Sequence, residues 1–193
     1  MTERTAIVDA ATGSPESISA AMEIINAGDD IRAKLCKKLI KDVSDALSQS
    51  DLHSQVTLSP DPNNSNPKDK EWWQKKQGFT FFLNSKEDRY GIQFQFEHDG
   101  FKEFFFGIQE NIGSTQINSE VSKKLSLEFQ GSKSSQVWAW WCYLDESLID
   151  WNKNIDAWLQ IYKEAAPLAQ KIMGQVEKIY NILKKNDLLK CLT

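Results

Sequence analysis

Gly78-Phe79-Thr80-Phe81-Phe82-Leu83, Tyr90-Gly91-Ile92-Gln93-Phe94-Gln95-Phe96-Glu97 and Lys102-Glu103-Phe104-Phe105-Phe106-Gly107-Ile108 decide the fold of this chain. Three short aromatic runs separated by turn residues and charges describe an antiparallel meander, with strands expected over 79–84, 90–98 and 102–109. Most of the ten phenylalanines lie in these runs, so the core is expected there. The hairpin register follows from the pattern. A two-residue Asp99-Gly100 turn would set Phe96 against Glu103 and mix apolar with polar. A three-residue loop, Asp99-Gly100-Phe101, sets Phe96 against Phe104, Phe94 against Phe106 and Ile92 against Ile108. Its cost is Glu97 facing Glu103, about 1 kcal/mol at most. Against that stand several phenylalanine burials of roughly 2 kcal/mol each, so the three-residue loop is expected.

Outward from this stretch, the N-terminal 50 residues read as helical. Ser14-Pro15-Glu16 is a helix start, with serine as N-cap, proline at the first position and an acid in the first turn. Ile18, Ala21, Met22 and Ile25 follow on one face, and Gly28 is expected to end the helix. Ile31, Leu35, Cys36, Leu39, Ile40, Val43 and Leu47 form a second stripe at helical spacing. Val56-Thr57-Leu58 suggests a short strand. The stretch with Pro60, Pro62 and Pro67 among Asn63, Asn64 and Asn66 has the composition of a loop. A helix is expected over 118–129, and a buried fourth core strand over Val137–Tyr143. Two more helical stripes follow, one through Ile155, Trp158, Leu159 and Tyr162, the other from Leu168 to Leu183. The expected architecture is α+β: an antiparallel sheet of about four or five strands with helices packed on it. An N-terminal helical segment over 1–50 precedes an α+β domain over 51–193.

Composition bounds the function. At 193 residues the chain suits one domain with a helical appendage, and a net charge of −4 argues against a protein devoted to neutralising phosphates. Cys36, Cys142 and Cys191 are odd in number and widely spaced, as reduced thiols would be. Met1-Thr2-Glu3-Arg4 leads into no apolar signal core, and no apolar run approaches the roughly 20 residues of a membrane helix. A soluble, unlipidated cytoplasmic protein with no membrane partner is expected.

Motifs of chemistry are sparse. The chain contains no G-x-G-x-x-G, G-x-x-x-x-G-K, G-x-S-x-G or H-E-x-x-H. His53 and His98 are its two histidines, too few for a histidine-rich metal site. His98 sits beside Glu97 at the hairpin loop, and Glu97 and Glu103 issue from one hairpin. Those three residues are the place for an unrecognised enzyme site, but solvated turn charges explain them more simply. No catalytic residue, cofactor or metal is assigned. The seven tryptophans cluster, and Trp72 and Trp73 stand among Lys68, Lys70, Lys75 and Lys76. Aromatics interleaved with lysines suit either a protein hot spot or base stacking. These six residues are the expected partner-binding segment, one tryptophan packing on the sheet and the other reaching solvent.

From about residue 78 to 186 the chain resembles the C-terminal region of bacterial and phage proteins of the PD-(D/E)XK nuclease superfamily. The resemblance is carried by Tyr90 to Glu97, the partner strand ending Phe106-Gly107-Ile108, the Trp138–Tyr143 strand, and Trp151 followed by the helices from Ile155 to Leu183. In those proteins the region is an accessory domain, and catalysis belongs to a separate nuclease core. That core uses an aspartate and an acid-x-Lys triplet to hold Mg²⁺. Neither Asp-x-Lys nor Glu-x-Lys occurs in this chain; Glu87-Asp88-Arg89 has arginine in place of lysine. The resemblance therefore implies a non-enzymatic, protein-binding or regulatory protein in bacterial defence or phage counter-defence. A nucleic-acid-binding module using residues 68–76 is the alternative.

Overall fold

A computed structural model of the chain describes residues 2–59, 78–83, 91–98, 101–109 and 115–191. They fall into two compact units, Met1–Leu35 and Cys36–Thr193.

In the first unit, helix α1 (Glu3–Thr12) is capped by Thr2, whose hydroxyl accepts from the Thr5 N–H at 3.4 Å. Helix α2 (Pro15–Asn26) starts as its sequence signals. The Ser14 hydroxyl accepts from the Ser17 N–H at 3.1 Å, and Pro15 occupies a position where a missing N–H costs nothing. Ala27 rather than Gly28 closes α2, its N–H bonding Glu23 O at 2.9 Å. Gly28 instead opens helix α3 (Gly28–Ser48). The boundary between the two compact units falls inside α3. The reason lies in its stripe: Cys36, Leu39, Ile40, Val43 and Leu47 are buried, whereas Ile31 is exposed. Lys38–Asp42 and Lys41–Asp45 ion pairs at i,i+4 spacing brace its solvent side.

The second unit holds a five-stranded antiparallel sheet in sequential order: β1 (Thr57–Ser59), β2 (Gly78–Phe82), β3 (Gly91–His98), β4 (Lys102–Gln109) and β5 (Trp138–Tyr143). The β3–β4 register is the apolar one, with Ile92, Phe94 and Phe96 opposite Ile108, Phe106 and Phe104. His98 lies opposite Lys102, so the loop has three residues. Phe101, at the last loop position, takes the left-handed conformation (φ 62°) that such loops require. The inner face is a continuous aromatic layer. Phe94 stacks between Phe79 (5.4 Å) and Phe106 (5.2 Å), and Phe81 meets it edge-on at 5.9 Å. All four rings are fully buried.

The helices α4 (Thr115–Glu128), α5 (Ile155–Tyr162) and α6 (Pro167–Lys185) complete this unit. α6 buries eight residues, from Leu168 to Leu183. Phe129, just beyond α4, lies against Phe106 and Trp140 at 5.9 and 4.9 Å. Trp151 closes the hairpin end of the core. Its ring meets Phe96 and Phe104 at about 5 Å, and its Nε1 donates to Leu148 O at 2.8 Å.

β5 is largely buried, as expected, and lies at the edge of the sheet. Its outer margin is occupied by residues 133–135: Lys133 and Trp141 exchange main-chain bonds at 2.9 Å, and the Ser135 N–H donates to Trp138 O at 2.9 Å, which blunts the edge. A register shift at Ile108/Gln109 sets Ile108 opposite Trp140 but Gln109 opposite Trp138, leaving Ala139 as the extra residue. With that bulge Trp140 faces the core, while Trp138 and Trp141 share the other face. Gly107 makes room for them. A Cβ there would stand 2.6 Å from Trp140 O and 2.9 Å from the Trp138 ring.

Candidate interaction surfaces

The segment singled out by sequence, with Lys68, Lys70, Trp72, Trp73, Lys75 and Lys76, lies outside the described residues. Among the described residues, three surfaces merit attention.

The first is the hairpin end. Between the Phe96–Phe104 and His98–Lys102 pairs, Glu97 and Glu103 bring carboxylate oxygens within 4.8 Å of each other. Glu103 has left-handed backbone (φ 57°), uncommon for a residue with a side chain and worth about 1–3 kcal/mol of strain. His98 Nε2 stands 3.8 Å from Glu103 Oε1. The Tyr143 hydroxyl reaches Glu103 Oε2 at 3.5 Å. The phenol is held above its ordinary pKa, first by burial, then by the Glu103 and Glu97 charges and the hydrogen bond. The fields of both carboxylates thus converge on one hydroxyl.

The second is the outer face of the sheet, where β3 turns Gln93, Gln95 and Glu97 outward, with Gln93 Nε2 donating to Gln95 Oε1 at 2.6 Å. Beside them Phe105 meets Trp138 at 5.0 Å and Trp141 at 5.4 Å, and Trp141 meets Tyr143 at 5.3 Å. Lys133 lies 5.1 Å from the Trp141 ring centre. Phe105 and Trp138 are buried by these neighbours; Trp141 and Tyr143 remain half-exposed.

The third is α2. It buries none of its residues, yet Ile18 is 47%, Met22 50%, Ile24 64% and Ile25 68% exposed. Ile18, Met22 and Ile25 recur at four- and three-residue spacing, which places them on one side of the helix. Exposed Ile7 and Val8 of α1 add to the apolar surface of the same unit. Residues 1–35 carry six acidic side chains against three basic ones, Arg4, Arg32 and Lys34.

No family model, curated protein or solved structure matches the chain. Function has to be read from its own residues. A polar cleft of about 440 Å³ beside α4 is lined by Ser119, Ser122, Lys123 and Ser135 among others, and its lining includes no carboxylate, imidazole or thiol. Burial pushes the Cys36 thiol far up and the Cys142 thiol up as well, so neither is poised as a nucleophile. Among the described residues no helix is long and apolar enough to cross a membrane.

Sequence pattern found the hairpin acids and His98 but missed Tyr143, because the β4–β5 pairing that brings it to Glu103 spans 40 residues. It placed Ile18, Met22 and Ile25 on one face without saying what covers that face. Periodicity reports that a face is apolar, not what covers it.

Proposed function

We propose that the chain is a non-catalytic protein-binding protein that docks its partner on the apolar side of α2. The observation that carries this is a helix with four large apolar side chains, all about half-exposed or more, and no buried residue. Clustered exposed apolar side chains of this kind on a small unit mark an interaction site. The partner's chemistry follows from charge. With Glu16 and Glu23 on the helix and a twofold excess of acids over bases in residues 1–35, the surface suits a basic amphipathic segment. The same acidity disfavours a second copy of the chain and nucleic acid. A setting in bacterial defence or phage counter-defence is what the resemblance described above implies.

The test is affinity capture with the wild-type chain and with a Met22→Glu/Ile25→Glu variant, followed by reconstitution from purified components. The expected result is a defined complex that the variant loses and that rising salt weakens moderately. A partner bound equally by the variant would overturn the reading. So would concentration-dependent dimerisation abolished by Met22→Glu, which would make a second copy the occupant. Purified chain is also expected to leave DNA and RNA uncut with Mg²⁺ or Mn²⁺; metal-dependent cleavage abolished by one acid substitution would overturn the non-catalytic part.

A further inference from the structure

We propose that Glu97, His98 and Glu103 bind one first-row divalent cation, Zn²⁺ foremost, at the end of the β3–β4 hairpin. One ligand atom from each side chain lies within 4.8 Å of the other two. Bonds of about 2.0–2.2 Å hold neighbouring ligand atoms roughly 3–4 Å apart around such an ion. The three side chains therefore need to close by roughly 1 Å, and their exposure leaves them free to do so: His98 is 60% and Glu103 41% exposed.

The donor set selects the class of ion. Mg²⁺ and Ca²⁺ favour oxygen ligands throughout, whereas an imidazole nitrogen with two carboxylates suits a borderline cation such as Zn²⁺. Three protein ligands leave a position for water. The hairpin supplies the driving force. It brings two carboxylates within 4.8 Å of each other, and a divalent cation turns that repulsion into attraction. The Tyr143 hydroxyl at Glu103 Oε2 orients that carboxylate from behind. The ion so bound would pin β3 to β4 beside the loop that joins them. No bond-making step is assigned to it.

The test is calorimetric titration of metal-stripped protein with Zn²⁺, Mg²⁺ and Ca²⁺, alongside NMR of the His98 ring. The expected result is one Zn²⁺ per chain with the His98 ring signals shifting at saturation. Affinity should fall at least about tenfold in His98→Ala and in the isosteric Glu97→Gln and Glu103→Gln. His53→Ala, which alters the other histidine, should leave it unchanged. In chelator no variant should melt below wild type, showing that the loss is one of binding and not of fold. Absence of saturable Zn²⁺ binding, equal affinity in His98→Ala, or Mg²⁺ binding as tight as Zn²⁺ would overturn the proposal.

Discussion

Helices α2 and α6 begin alike and end in opposite circumstances. Each has proline in its first turn and an apolar stripe at three- and four-residue spacing. α6 buries eight of its residues; α2 buries none. Amphipathicity is a property of the local sequence, but burial depends on what the rest of the chain brings to that face. α6 packs against α4 and α5 within the second unit. In α2 the stripe remains on the surface, and an apolar face kept there is better explained by contact with another molecule than by folding.

The sharpest way to break this comparison is to truncate α6. Ile172 is fully buried, and Ile172→Ala removes three carbons from a packed core. We expect a loss of about 2–5 kcal/mol in urea unfolding. A loss under about 1 kcal/mol would mean that α6 is no better covered than α2.

A second substitution probes the outer sheet face. Gly107→Ala would drive a methyl group against the Trp140 carbonyl and the Trp138 ring. Overpacking of this kind should destabilise by about 1–3 kcal/mol. Near-UV circular dichroism should change as well, because Trp138 and Trp141 must shift to admit the methyl group. An unchanged spectrum and melting temperature would contradict the bulged arrangement of β5.

The meander was legible because aromatic alternation constrains strands twice. It marks which residues are strand, and it fixes register through the burial of a common face. Phe94 opposite Phe106 and Phe96 opposite Phe104 follow from that constraint alone. The β5 bulge was not legible. Trp138, Trp140 and Trp141 indicate apolar character on both faces, but only pairing with β4 shows where Ala139 is skipped. The division of α3 was hidden for a related reason, since its stripe runs unbroken from Ile31 to Leu47 while coverage begins at Cys36. At the candidate sites, residue types identified the hairpin acids and histidine. The exposed face of α2 gave no sequence signal separating it from a core face.

A third, smaller effect concerns pH. Asp145 Oδ2 accepts from Lys171 Nζ at 2.8 Å, and Oδ1 accepts from the Ser147 N–H and hydroxyl at 2.9 and 2.8 Å. These bonds, Lys171 first, lower the Asp145 carboxyl to about 2. A carboxyl whose folded value lies below its unfolded one, near 3.9, stabilises the fold above about pH 4. That contribution disappears as pH falls from about 4 towards 2. Both partners are 37% exposed, so solvent screening limits the contribution to about 1 kcal/mol or less. Asp145→Asn should therefore melt slightly below wild type at pH 7, with most of that gap gone by pH 2. A gap that persists undiminished at pH 2 would show that packing, not the ion pair, is what the substitution disturbs.

The smallest expected change in stability belongs to α2, and it bears most directly on the comparison. Truncating Ile25, 68% exposed, removes little buried surface, and alanine is the best helix former. Ile25→Ala should alter unfolding free energy by less than about 0.5 kcal/mol. In the same variant, binding to the reconstituted partner should weaken, because an apolar anchor at an interface contributes most where it becomes desolvated. The pair of measurements separates the two meanings of an apolar stripe. In α6, stability falls because the stripe is core. In α2, stability holds while affinity drops because the stripe is an interface. Should Ile25→Ala destabilise by 2 kcal/mol or more, the face would already be covered in the free protein, and α2 would be an ordinary packed helix with no part in recognition.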